Sequence, residues 1–153
     1  MNATRTETTV RQTRYGLRTT VALPYDEAVA AVRDALGREG FGVLTEIDVR
    51  ATLKKKLDVD FQPYIILGAC NPPLAHRALS AEPDIGLLLP CNVVVYAPPG
   101  GDTVVAALDP VEQLKLSGNA AIEPVAKEVR ARLARVVDAV AGAGSREPGA
   151  GRS

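Results

Sequence analysis

The residues best suited to chemistry are the two cysteines, each of which is followed directly by an asparagine. Cys70-Asn71 ends one apolar run, and Cys91-Asn92 begins another. A thiolate is a nucleophile and a ligand for soft metals such as Cu(I), and an asparagine side chain both donates and accepts hydrogen bonds. Cys70 also precedes a predicted helix start, whose backbone N–H groups should lower the pKa of its thiol.

The two thiols have several interpretations. Three of them are functional: a redox dithiol, a soft-metal pair and a catalytic thiol. Both sulfurs lie near one end of the sheet if the strands that carry them are neighbours. The alternative is packing, because free cysteine is among the most buried residues and often behaves as a small hydrophobe. The chain has no CxxC, and the separation of Cys70 from Cys91 fits no zinc pattern.

His76 is the only histidine, and it falls within the helix predicted after Cys70. From there it can reach a ligand at the helix opening, whereas a surface position is the alternative. The sequence contains no Gly-x-Ser-x-Gly elbow, no Walker loop and no His-Glu-x-x-His helix. Because only one histidine can serve as a base, a binding function ranks above an enzymatic one, and no cofactor is indicated beyond a soft metal at the cysteines.

Composition excludes several classes of partner. The 153 residues carry 18 Lys and Arg against 18 Asp and Glu, so the basic excess typical of nucleic-acid binding is missing. The longest apolar runs, Tyr64–Cys70 and Ile85–Leu89, are far shorter than the roughly 20 residues of a membrane helix. The polar first residues do not form a signal peptide, and two cysteines are typical of a reducing compartment. We therefore expect a cytoplasmic protein that binds neither nucleic acid nor membrane.

The ends of the chain differ in composition from its middle. Residues 1–14 are polar and rich in Thr, and residues 142–153 are rich in Gly with Pro and Ser. Such segments bury too little apolar surface to offset the entropy of ordering them. We predict two flexible tails around a single domain that spans residues 15–141.

Apolar periodicity within this domain predicts the element order β-α-β-α-β-α-β-β-α. Strands are expected around residues 17–23, 41–47, 63–70, 93–96 and 103–108. This order predicts an α+β fold whose sheet has about five strands, mixed but mostly antiparallel, with helices packed on one face. An apolar face left uncovered by helices would favour a homodimer.

Two sequence blocks resemble a known family. Gly68-Ala69-Cys70-Asn71-Pro72 and the later block that runs from Leu88 to Val93 resemble the domain-of-unknown-function family numbered 302. The resemblance extends from about Tyr15 to Val140. It implies a compact α+β domain of mainly bacterial and archaeal proteins that associates as a dimer, and it implies no activity.

These observations lead to three hypotheses about function. In the first, the protein is a dimeric binding or accessory module that holds a small molecule or a soft metal at Cys70, Asn71, Cys91 and Asn92, with His76 as a further candidate. In the second, it is a thiol-dependent redox protein or enzyme that uses the two cysteines. In the third, both cysteines are structural and the function belongs to the dimer surface.

Overall fold

The computed structural model describes residues 10–144, which form one sheet and the helices around it. The strands are β1 (Arg11–Gln12), β2 (Gly16–Val21), β3 (Gly42–Asp48), β4 (Tyr64–Cys70), β5 (Cys91–Tyr96) and β6 (Thr103–Leu108). The α-helices are α1 (Tyr25–Arg38), α2 (Val49–Leu57), α3 (Pro72–Ala81), α4 (Pro110–Leu114) and α5 (Glu123–Gly144). Short 3₁₀ segments cover Pro83–Leu88 and Lys115–Ser117.

The sheet has six strands in the order β1-β2-β6-β5-β4-β3, and every neighbouring pair is antiparallel. This confirms the predicted α+β class. The sheet is entirely antiparallel rather than mixed, and it has one strand more than expected. The extra strand is β1, where Arg11 pairs with Arg18 and Gln12 with Leu17.

Strand β1 corrects the predicted N-terminal tail, because it lies within residues 1–14. It is fixed by a tight turn in which the N–H of Thr13 donates to the carbonyl of Gly16 at 2.7 Å. At the other end, α5 continues to Gly144, into the predicted tail of residues 142–153. The remaining parts of both predicted tails lie outside the described residues.

The core lies between one face of the sheet and the long helices. Along β5, Cys91, Val93 and Val95 are buried, as the alternation of side chains in a strand requires. They pack with helix residues such as Leu36 of α1 and Leu133 of α5, both fully buried. Helix α2 has no buried residue and lies beside β3 and β4.

The opposite side of the sheet, which we call the open face, carries the alternate strand residues. Register pairs these residues across the strands: Thr20 with Val104, Val104 with Tyr96, and Tyr96 with Tyr64. Tyr96 and Tyr64 are half-buried. The open face is therefore less enclosed than the face that packs against α1 and α5.

Helices α2 and α3 each begin with a side-chain cap. The side chain of Asp48 accepts from the N–H of Ala51 at 2.9 Å at the start of α2. The side chain of Asn71 accepts from the N–H of Leu74 at 3.3 Å at the start of α3.

Among the helices of residues 10–144, none combines the length and the apolar character needed to cross a membrane.

Candidate functional site

The two cysteines come together at one end of the sheet. Strand β4 ends at Cys70, β5 begins at Cys91, and the two strands are antiparallel neighbours. Both residues border a cavity of about 40 Å³ whose other walls include Phe41, Leu74 and Leu89. The walls are almost entirely apolar, so this cavity offers few hydrogen-bonding groups to a ligand.

The register of the two strands does not make the cysteines direct partners. Ala69, rather than Cys70, lies opposite Cys91. Cys70 lies one position further along, as the last residue of β4, and it nevertheless borders the same cavity as Cys91. Both cysteines are free thiols, and a redox role for the pair stays a prediction.

The environment of the thiols raises their pKa values. Burial raises the pKa of Cys70 above its ordinary value. Burial, followed by the proximity of Cys70, raises the pKa of Cys91 to about 11. The expected lowering at Cys70 is therefore wrong: desolvation is the dominant effect, and the Leu74 N–H at the start of α3 is bound by the side chain of Asn71.

Asn71 lines the cysteine cavity, whereas His76 does not. Asn71 is buried and its oxygen caps α3, so this part of its amide serves the fold. His76 is exposed on α3 and borders neither the cysteine cavity nor the larger cavity of the open face. Within the part of the chain that the structure describes, no group of three or more His, Cys, Asp or Glu could hold a metal ion. A soft metal at Cys70 and Cys91 stays a prediction.

Asn92 is separated from Cys91 by the sheet itself. Cys91 is buried on the helix side, whereas Asn92 is exposed and pairs in register with Gly68 on the open face. It lines a second and larger cavity, of about 460 Å³. The residues predicted to form one site are thus divided between two cavities on opposite faces.

The larger cavity, which we call the open-face cavity, contains three of the four tyrosines of the chain. The rings of Tyr64 and Tyr96 are stacked with centroids 5.1 Å apart and planes 7° from parallel. Burial, followed by the proximity of Tyr96 and Tyr15, raises the pKa of Tyr64. The Tyr64 hydroxyl therefore stays protonated at neutral pH and can donate a hydrogen bond.

The charged groups of this cavity are of one sign. Arg14 and Arg18 line it, and no Asp or Glu among residues 10–144 does so. The remaining walls include the aliphatic side chains of Val94, Ala106 and Leu108. The cavity therefore combines an apolar floor, an aromatic wall and a positively charged edge.

The edge formed by the turn between β1 and β2 is fixed by Asp109. The Asp109 N–H donates to the carbonyl of Tyr15 at 2.9 Å, and its carboxylate accepts from Nε2 of Gln12 at 2.8 Å. The carboxylate also accepts from Nε of Arg130 at 3.1 Å and from the N–H of Val111 at 3.0 Å. Burial alone would raise the pKa of Asp109, but the hydrogen bonds from Gln12, Arg130 and Val111 together lower it.

Sequence reasoning missed Tyr64, Tyr96, Arg14 and Arg18 as site residues. Tyr64 lies at the start of one predicted strand and Tyr96 at the end of the next, and Arg18 occupies an alternate position in the first strand, so the residue types themselves were visible. What brings them together is the strand register, and β4 and β5 are separated by α3 and a 3₁₀ segment. Such a connection does not specify register in the way that a tight hairpin does.

Comparison with known proteins agrees with this architecture. The family model of a domain of unknown function, DUF302, matches residues 17–140. The crystal structure of an uncharacterized conserved DUF302 protein from Bacillus stearothermophilus is similar, with a TM-score of 0.76 and 31% identity over 82% of this chain and 97% of that chain. No curated protein matches the chain. The chain therefore belongs to the DUF302 family.

Proposed function

We propose that the protein is a binding module for a small organic molecule, which occupies the open-face cavity. The observation that carries this proposal is the volume of about 460 Å³ beside the stacked rings of Tyr64 and Tyr96. Sites for small molecules typically measure about 300–1,000 Å³ and combine apolar walls with a few polar groups.

The composition of the walls supports this proposal. Val94, Ala106 and Leu108 supply apolar surface, while Asn92 and the tyrosine hydroxyls supply the few groups that fix orientation. By contrast, the cysteine cavity of about 40 Å³ has room for little more than one water molecule, which occupies about 30 Å³ in the liquid. We therefore assign the ligand to the open face, and Asn92 is the predicted site residue that is retained there.

The test is protein-observed NMR with indole and 2-naphthoate as probes. Amide shifts are expected to concentrate on Val94, Tyr96 and Ala106. An Ala106→Phe variant fills the cavity and should abolish these shifts, whereas Ala139→Phe, an exposed position on α5, should retain them. Circular dichroism and the Tm confirm that each variant is folded. Shifts that concentrate on α5, or no shifts with either probe, would overturn the proposal.

We further propose that the chain forms a homodimer in the cytoplasm. Support for self-association comes from the edge strand β3, where the side chains of Leu44 and Ile47 are 68% and 47% exposed. The two free cysteines support a reducing compartment, where thiols persist. Sedimentation of the purified protein tests the dimer, and a monomer throughout the micromolar range would contradict it.

A further inference from the structure

Two arginines face each other at the edge of the open face. Arg11 of β1 and Arg18 of β2 are register partners in an antiparallel pair, so their side chains leave the sheet on the same side. Like charges directly opposite each other on neighbouring strands destabilise a sheet. An anion bound between them would remove this cost.

Neither guanidinium has an acidic partner in the described range of residues 10–144, and Arg14 in the intervening turn has none either. Five arginines of this range are ion-paired, for example Arg33 with Glu46 at 2.9 Å, whereas the exposed Arg50 and Arg77 have no acidic partner there either. Three of the five arginines without an acidic partner among residues 10–144 thus lie at one edge of the open face, and no Asp or Glu of that range lines the cavity beside Arg14 and Arg18.

The distance from this edge to β5, the strand that carries Tyr96, sets a lower bound on the length of the ligand. Arg18 pairs with Ala106, and Ala106 pairs with Val94 on the strand that ends in Tyr96. Two strand spacings therefore separate Arg18 from β5, which is about 10 Å at 4.7–4.9 Å per spacing. The small side chain of Ala106 leaves room between them.

We propose that the ligand is a planar aromatic monoanion of about two fused rings. This inference rests on the proposed function and names its ligand class. The aromatic body lies against Tyr96 and Tyr64, because offset or edge contacts between rings are favourable. The anionic group lies at Arg18, whose planar guanidinium matches a carboxylate with two parallel hydrogen bonds, and Arg11 and Arg14 add positive potential.

The experiment compares 2-naphthoate with 2-naphthamide, its neutral analogue of nearly the same shape, by NMR titration and calorimetry. The full chain should bind the carboxylate about tenfold more tightly than the amide, as one charge-assisted contact predicts. The preference should weaken as salt rises from 50 mM to 500 mM, because the guanidinium groups are partly exposed. 2-Naphthoate should also raise the Tm.

Variants locate the anion contact. Arg18→Gln should weaken binding of the carboxylate far more than that of the amide and so remove the preference, and Arg18→Lys should keep part of it. Arg77→Gln, an exposed position on α3, is the matched control and should change nothing. If Arg18→Gln fails to fold, Arg11→Gln and the salt dependence of the unaltered protein test the same contact.

The outcomes separate this inference from the function on which it rests. Equal binding of both probes on the open face would overturn the inference that the ligand is an anion, but it would leave the proposed binding function in place. A carboxylate preference that survives in Arg18→Gln would also overturn it, since the anion then lies elsewhere. Binding of neither probe would overturn the proposed function itself.

Discussion

The carboxylate of Asp109 accepts a hydrogen bond from Nε of Arg130 at 3.1 Å and thereby joins the start of α4 to the middle of α5. The same carboxylate accepts from Gln12, which belongs to the short edge strand β1. The side chain of Asp109 is 3% exposed and that of Arg130 is 35% exposed, so the acid is buried and its partner reaches solvent. This buried acid therefore holds in place the turn between β1 and β2, which forms one edge of the open-face cavity.

Replacing this acid should be costly. Asp109→Asn keeps the shape but loses the ion pair, and since the new amide nitrogen cannot accept, it also loses at least one of the three hydrogen bonds to the carboxylate. We expect the free energy of unfolding to fall by about 2 kcal/mol. Urea denaturation at pH 7 measures the change. Glu112→Gln is the control, because its pair with Lys115 is exposed and should contribute less than about 0.5 kcal/mol. Equal stability of Asp109→Asn and the unaltered protein would contradict the role assigned to Asp109.

The contribution of Asp109 should also depend on pH. Because the pKa of Asp109 is lower in the fold than in the unfolded chain, its ionised form stabilises the protein at any pH above the unfolded-state pKa. This contribution disappears as the pH falls through the folded-state pKa. The difference in stability between the unaltered protein and Asp109→Asn should therefore shrink in acid, as measured by denaturation at pH 7, 5 and 3. A difference that stays constant down to pH 3 would show that the charge of Asp109 is not responsible.

Gly68 should not tolerate a side chain. A Cβ atom there would lie 2.1 Å from Oγ1 of Thr45 and 2.8 Å from Cγ of Pro90, so Gly68→Ala should destabilise by about 1–3 kcal/mol. Adding Thr45→Ala should restore part of this loss, because only the proline contact remains. Gly37→Ala at an exposed helical position with no atom near its Cβ is the matched control and should be neutral or stabilising. Urea denaturation measures the free energy of unfolding of the unaltered protein and of the three variants. An unchanged stability of Gly68→Ala would refute the close contacts of Gly68 with Thr45 and Pro90.

The thiols should react slowly at neutral pH. Burial raises the pKa of both cysteines, that of Cys91 to about 11, so the reactive thiolate is scarce at pH 7 and increases with pH. We expect iodoacetamide to label half-buried Cys70 before Cys91, with site-resolved mass spectrometry as the readout. In denaturant both should react equally fast, and Cys70→Ser and Cys91→Ser assign the adducts. Rapid labelling of native Cys91 at pH 7 would favour the thiol-dependent alternative instead.

Self-association should depend on the edge strand β3. Ile47→Lys places a charge on its exposed apolar surface and should shift the dimer towards monomer, as light scattering after size-exclusion chromatography would reveal. Leu87→Lys is the control, since Leu87 is 86% exposed and lies away from β3 in the 3₁₀ segment. If both variants retain the mass of the unaltered protein, the interface is not at Ile47.

Local features of the fold could be predicted from the sequence because they depend on neighbouring residues. Asn71 caps α3 and Asp48 caps α2, and such caps can be read from the sequence because a cap needs only the right side chain before a helix. The alternation Leu17, Thr19, Val21 predicts the buried side of β2 in the same way. Strand β1 could not be predicted, because Arg11 and Gln12 carry no apolar pattern and are fixed by distant Asp109 and Arg130.

The candidate site depends on relationships that only the tertiary structure decides. The sequence by itself determines that Cys70 and Cys91 lie at strand ends and that the fold is α+β, because apolar periodicity and turn residues are local signals. Strand order and register then set which residues meet: they offset the two cysteines by one position and stack Tyr64 on Tyr96. A shift of one residue would move every side chain of a strand to the other face, so the location of the open-face cavity is a property of the assembled sheet.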